Sequence, residues 1–240
     1  MIAPRTRRIA RTERGGIAAV LITLLVVVAV AGGAAYWFLI REDAKPKPKI
    51  EKTKVVAGGT ADGTWNLAAN DSLGSYAQYR IHEKFADGLV DNEATGRTPA
   101  VSGSMTIAGN SVSDITVTAD LSKLKSDKQF RDNVLASRGL ETAKFPTATF
   151  TSTAAATLPS APVTGKTLDV SVTGDLTLHG VKRSVTATLQ GRWDGRQIQV
   201  IGGIEIQLAD YAMTAPTTPI VASVDDHGTL ELNLFFTKAS

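Results

Sequence analysis

The sequence predicts a mainly β fold, an antiparallel barrel of about eight strands with one short helix, preceded by a single N-terminal transmembrane helix. Three observations carry this. Between Lys166 and Gln190, apolar Leu168, Val170, Val172, Leu176 and Leu178 alternate with polar residues; His179 and Gly180 interrupt the run, and Val185, Ala187 and Leu189 resume it. That is the period of two antiparallel strands joined by a tight turn. The same alternation recurs at hairpin spacing through the second half of the chain, and closing so many strands into a barrel removes their exposed edges. Near the start, Ile17 to Ile40 is apolar apart from Thr23 and the small Gly32 and Gly33, long enough for the ~20 residues that cross a bilayer.

Bulk composition narrows the function classes. The 240 residues contain no cysteine, which excludes disulfides, thiolate metal sites, cysteine catalysis and lipidation of an N-terminal cysteine. A formal charge of +3, much of it outside the predicted barrel, disfavours nucleic-acid binding. Aromatic residues make up only 6% while Thr, Ser, Val, Ala and Gly abound, a composition suited to pleated strands and turns.

Residues 1–16 form a basic tail, with Arg5, Arg7, Arg8, Arg11 and Arg14 against Glu13. Residues 17–40 are the expected anchor, with Tyr36 and Trp37 where an interfacial belt would lie. The competing reading is a cleaved signal peptide ending at Ala29-Val30-Ala31, but the apolar run exceeds the ~7–15 residues of a signal core. Basic residues flank both ends, so charge alone does not orient the helix. Residues 41–62 contain the KPKPK run, Lys45 to Lys49, and read as an extended, solvated spacer able to hold the domain tens of ångströms from the bilayer. A grip on anionic lipid head groups or wall polymers is the alternative role for those lysines.

Residues 63–240 are the expected barrel domain. Trp65 and Leu67 mark a first strand, and Ala77, Tyr79 and Ile81 share a face of the second, Tyr76 to Lys84. After a polar loop, Val101, Gly103, Met105 and Ile107 pair through Gly109-Asn110 with Ile115, Val117, Ala119 and Leu121. Ser126 to Ser137 is the expected soluble helix, capped by Ser126 and stopped by Gly139, with Phe130, Val134 and Leu135 either lidding a cavity or packing on the barrel wall. Strands follow at Ala148 to Ala156, in the central hairpin, at Gln197 to Gln207 with a bulge or bend at Gly202-Gly203, and at Thr229 to Thr237.

GDLTLHGVKRSV, Gly174 to Val185, resembles the signature of the YceI family, and KFPTATFTS, Lys144 to Ser152, is a second match. The resemblance covers about Thr64 to Lys238. It departs from the family at Asp71-Ser72, where many members carry His-Ser. It implies an exported, lipocalin-like barrel whose apolar interior holds an isoprenoid or similar lipid. On that reading the ligand-facing residues are Tyr79, Ile81, Met105, Ile107, Val117, Phe130, Phe150, Leu176, Leu178 and Leu232, and small Ala77, Gly103, Ala119, Gly174 and Ala187 leave the room. His179 belongs at the rim, fixing the turn before Gly180.

The implied protein is held in the cell membrane by one span, with its folded domain extracytoplasmic and a lipid as partner; nothing in the sequence calls for a cofactor or sets an oligomeric state. His82, His179 and His227 lack short metal-ligand spacing. No nucleophile elbow, P-loop or dinucleotide motif is present, Asp225-Asp226 reads as a turn, and no catalytic residue is assigned. The rival reading is an envelope interaction module with a filled barrel. Asn70-Asp71-Ser72 formally matches a glycosylation acceptor.

Overall fold

The computed structural model describes residues 14–35, 44–56, 58–68, 73–85, 90–216 and 221–239, which fall into two compact units, Met1–Arg41 and Glu42–Ser240. In the first, α1 (Arg14–Ala35) is 22 residues of helix rich in Val, Leu and Ala. The side chains described there, 22–34, span about 20 Å of helix axis. Among the described residues no helix is long and apolar enough to cross a membrane. Most of the basic tail and the aromatic pair Tyr36-Trp37 lie outside the described residues, as does Asn70-Asp71-Ser72.

The second unit is a twelve-stranded antiparallel sheet closed on itself. Its strands are β1 (Gly63–Leu67), β2 (Tyr76–Phe85), β3 (Val90–Thr98), β4 (Val101–Ala108), β5 (Ser111–Asp120), β6 (Thr147–Ser152), β7 (Ala156–Thr157), β8 (Thr167–Leu178), β9 (Val181–Trp193), β10 (Gln197–Gln207), β11 (Val221–Val224) and β12 (His227–Lys238). Eight of them, in the order β1-β4-β5-β6-β8-β9-β10-β12, form the barrel, and β1 closes it by pairing with β12 through Trp65 opposite Lys238. β2 pairs with the first half of β12, β3 and β11 pair with β2, and β7 pairs with β5. The central hairpin is the one expected: β8 and β9 stay in register from Thr167–Arg192 to Leu178–Val181.

Inward-facing apolar residues form one core, with Trp65 1% and Val172 0% exposed. Gly202 and Gly203 are not a bulge, because the β9–β10–β12 register runs through them unbroken. They permit close strand approach instead: a Cβ on Gly202 would lie 2.3 Å from the Thr188 carbonyl oxygen and one on Gly203 2.8 Å from that of Leu230. Register shifts occur instead between Ser104 and Thr106 on β4 and between Val221 and Ser223 on β11.

Four sequence expectations change. The segment before Val101 is not simply a loop, since β3 spans Val90–Thr98; its polar residues Glu93, Thr95 and Arg97 face outward while Ala94 and Gly96 sit opposite Ile81 and Tyr79. The expected strand Ala148 to Ala156 is two, β6 and β7, separated by a bend. The helix α2 (Gln129–Val134) has Lys128, not Ser126, at its N-cap and continues as a π-turn, Leu135–Gly139. Ser126 is diverted because its N–H and hydroxyl both donate to Asp132 Oδ1, at 2.8 and 2.7 Å.

The fourth change is the spacer. Residues 44–56 lie along the outside of the barrel as an extended strap. The Lys45 N–H donates to Thr95 Oγ1 and the Glu51 N–H to Gln199 Oε1. Arg80 donates to the Lys45 carbonyl and Gln199 to that of Lys49. Arg192 donates to the Glu51 and Thr53 carbonyls, and the Val56 N–H to the Asp194 carbonyl. A proline-rich chain has few internal bonds of its own to make, and the polar outer face of β2, β12, β10 and β9 supplies partners for it. This stretch is therefore not solvated spacer.

Candidate functional site

The barrel encloses a cavity of about 270 Å³ whose wall is almost wholly apolar. For scale, an engineered apolar cavity of roughly 150 Å³ stays dry and takes up benzene. Four small residues show how the sequence leaves this space. Gly191 on β9 stands between Leu168 and Val200 on the inner face, and a Cβ there would meet nothing within 4 Å. Ala77, Ala119 and Ala187 likewise line the cavity. Gly103 and Gly174 do not make room: a Cβ on Gly103 would strike the Thr116 carbonyl at 2.0 Å, and the space over Gly174 is taken by the Phe150 ring, 2.5 Å away.

Every residue expected to face a ligand lines this one cavity: Tyr79 and Ile81 from β2, Met105 and Ile107 from β4, Val117 from β5, Phe130 from α2, Phe150 from β6, Leu176 and Leu178 from β8, and Leu232 from β12. Phe130, Val134 and Leu135 all reach it, so α2 and its π-turn cover the cavity rather than only bracing the wall.

Polar groups interrupt the apolar wall under α2. Glu83, on the same face of β2 as Tyr79, meets Arg131 of α2, with Nη2 to Oε2 3.0 Å and both side chains under 10% exposed. Arg131 also donates to Asp127 Oδ1 at 2.7 Å. Burial pushes the Glu83 carboxyl up to about 7, with the Asp127 charge adding to the effect, and burial lowers the Arg131 guanidinium to about 10. The Tyr79 hydroxyl is shut off from solvent with no hydrogen-bond partner among the described residues, and burial raises it well above the ordinary phenol value. Trp193, which also lines the cavity, has an unpartnered Nε1.

His179 sits at the rim. Its backbone takes a φ of +49°, its ring packs on Phe145 at 4.4 Å, and its two nitrogens face the Tyr211 carbonyl at 3.1 Å and Glu141 Oε2 at 2.8 Å. The histidine thus ties the β8–β9 turn to two neighbouring loops and to Gly180, which packs on the same phenylalanine ring. His82 and His227 are exposed, and Asp226 holds the His227 ring above its ordinary value through a 2.8 Å hydrogen bond. Among the described residues no group of three or more His, Cys, Asp or Glu could hold a metal ion.

Sequence reasoning missed the Glu83–Arg131 pair and the polar network on the outer face, where Arg80 and Gln78 both donate to Glu231 and Gln199 donates to Asn233. The only available signal was indirect: charged residues on strands whose other face is apolar.

The YceI-like domain profile matches residues 74–236. This chain belongs to the YceI-like family. A UPF0312 protein of Vibrio vulnificus is 31% identical over 146 residues, 55% of this chain and 71% of the relative. Protein YceI of Escherichia coli is 36% identical over 118 residues, 46% of this chain and 58% of its own length. Among solved structures, a polyisoprenoid binding domain from Saccharophagus degradans implicated in plant cell wall breakdown aligns with a TM-score of 0.55 at 20% identity, over 73% of this chain and 98% of that one. Burkholderia cenocepacia BcnA aligns with a TM-score of 0.50 at 18% identity, over 67% and 94%. The match starts beyond residues 44–56, so the strap lies outside the segment shared with the family profile.

Proposed function

We propose that this YceI-like barrel holds a long apolar chain of isoprenoid type in its interior, and that the N-terminal segment keeps it at the cell membrane with the barrel on the extracytoplasmic side. The cavity carries the reading: a deep apolar space under a helical cover binds hydrocarbon by removing its surface from water, at ~25 cal/mol per Å². The likeness to a polyisoprenoid binding domain supports the ligand class. No catalytic step is assigned, because among the described residues the cavity wall offers no nucleophile paired with a base. A filled interaction module is disfavoured by the cavity itself.

The test compares the full chain with a Gly191→Phe variant, which blocks the cavity from a position with free space around it. Both are purified in the same detergent, extracted with organic solvent and analysed by mass spectrometry. A polyprenyl lipid recovered with the native chain and depleted from the variant is the expected result. Equal lipid in both would defeat the carrier reading. Carbonate extraction of membranes, with protease added from outside, checks the attachment and its sidedness.

A further inference from the structure

Resting on the carrier reading, we propose that the polar end of the ligand is an uncharged oxygen group, a hydroxyl or a carbonyl, that hydrogen-bonds the Tyr79 hydroxyl, and that phosphorylated chains are disfavoured. The Tyr79 ring lies against Gly96 of β3, where a Cβ would fall 2.2 Å from Cε1, so the missing side chain makes the ring's seat. Tyr79 lines the cavity, and its buried hydroxyl has no hydrogen-bond partner among the described residues. Leaving a buried hydroxyl unsatisfied costs stability, which a ligand oxygen would recover.

The charges around it argue against an anionic head. Arg131 is engaged by Glu83 and Asp127, Lys128 Nζ lies 3.7 Å from Asp127, and Lys125 Nζ lies 3.8 Å from Asp132. The carboxyl groups of Glu83, Asp127 and Asp132 thus stand among Arg131, Lys128, Lys125 and Lys45, each cation facing at least one of them. The charges that bear on the Tyr79 hydroxyl itself are those of Glu83, Asp132 and Asp127. A neutral oxygen suits this setting, and a phosphate dragged beside those carboxylates would be buried without a counter-charge. Trp193 Nε1 is the other unpartnered donor on the wall, but it lies on the stretch of β9 that pairs with Ile198, whereas Tyr79 pairs across β12 at Leu230, which sits opposite Ile204. The two are separated by about 20 Å along the strands.

The full chain is incubated in detergent with an equimolar mixture of a nine-isoprene prenol, its monophosphate and squalene, then repurified and extracted, and each probe is quantified by mass spectrometry. The retention of the Gly191→Phe variant is subtracted as background. The expected result is prenol enriched about five- to tenfold over both other probes, that preference lost in Tyr79→Phe and kept in Trp193→Phe. Tyr79→Phe retains the ring on Gly96, and equal melting temperatures confirm its fold. Equal retention of prenol and monophosphate, or an unchanged preference in Tyr79→Phe, overturns the head-group assignment while leaving the carrier intact. Failure to retain any of the probes overturns the carrier reading instead.

Discussion

Arg80 on β2 and Glu231 on β12 meet on the outside of the barrel, Nε to Oε1 2.7 Å, with side chains only 7% and 6% exposed. An outward-facing ion pair is ordinarily solvated and worth little. This one is buried because the strap crosses it, the Lys45 carbonyl accepting from Arg80 Nη2 at 2.7 Å, while Gln78 Nε2 fills the second carboxylate oxygen at 2.6 Å. Removing one partner leaves the other charge under cover. Glu231→Ala is expected to cost about 2–4 kcal/mol, moderated by the second partner of Arg80, Glu93, at 2.6 Å. Urea unfolding of the full chain measures it, and a loss below about 0.5 kcal/mol would mean that the strap does not shield the pair.

Thr53 anchors the far end of the strap. Its hydroxyl accepts from Arg192 Nη1 at 2.8 Å and donates to Asp194 Oδ2 at 3.0 Å. Thr53→Val keeps the shape and deletes both bonds, each to a charged group, for an expected loss of about 1.5–3 kcal/mol. Because the exposed Lys49, Lys52 and Lys54 flank it, limited trypsin digestion should cut the strap of the variant several times faster than that of the native chain. Equal cutting rates would show that the strap is held elsewhere.

What the sequence made legible was the set of strands that obey one simple rule. Leu176 and Leu178 announce the inner face of β8 because a strand with one face in a core must alternate. The cavity-facing strand residues followed from that rule once the resemblance implied a barrel, since inward on a barrel strand means towards the lumen, whereas Phe130 came from helical spacing. β3 escaped notice because its inner positions Ala94 and Gly96 are too small to mark an apolar alternation, and because its outer residues are bonded to the strap and to β2. The strap was read as spacer because composition reports a tendency to extend and says nothing of Thr95, Gln199 and Arg192 waiting on the barrel to bond it. Glu83 and Arg131 are forty-eight positions apart, and only the fold brings α2 over β2.

Two glycines on the inner face should respond in opposite ways. Gly191→Leu adds apolar volume where a Cβ meets nothing within 4 Å, and is expected to be neutral or stabilising by about 1 kcal/mol while reducing lipid retention. Gly174→Ala places a methyl 2.4 Å from the Thr151 carbonyl and 2.5 Å from the Phe150 ring, and is expected to destabilise by about 2–4 kcal/mol. Melting curves of the two variants decide it. A tolerated Gly174→Ala would mean that β6 and β8 can separate, and a destabilised Gly191→Leu would mean that the cavity is smaller in solution.

Glu83 sets a pH dependence with a definite sign. Burial raises its carboxyl from 4.5 to about 7 in the folded protein, so between those values the folded state holds a proton that the unfolded state has released. Stability from this group is fully present below about pH 4.5 and declines as pH rises to about 7, a span worth up to roughly 3 kcal/mol. Arg131, lowered to about 10, titrates outside this window. Glu83→Gln holds the side chain neutral throughout, so urea midpoints of native and variant chains should agree near pH 4.5 and diverge in the variant's favour by pH 7.5. If the native chain instead gains on the variant as pH rises, the Arg131 ion pair outweighs burial, and Glu83 is a carboxylate held ionised under α2.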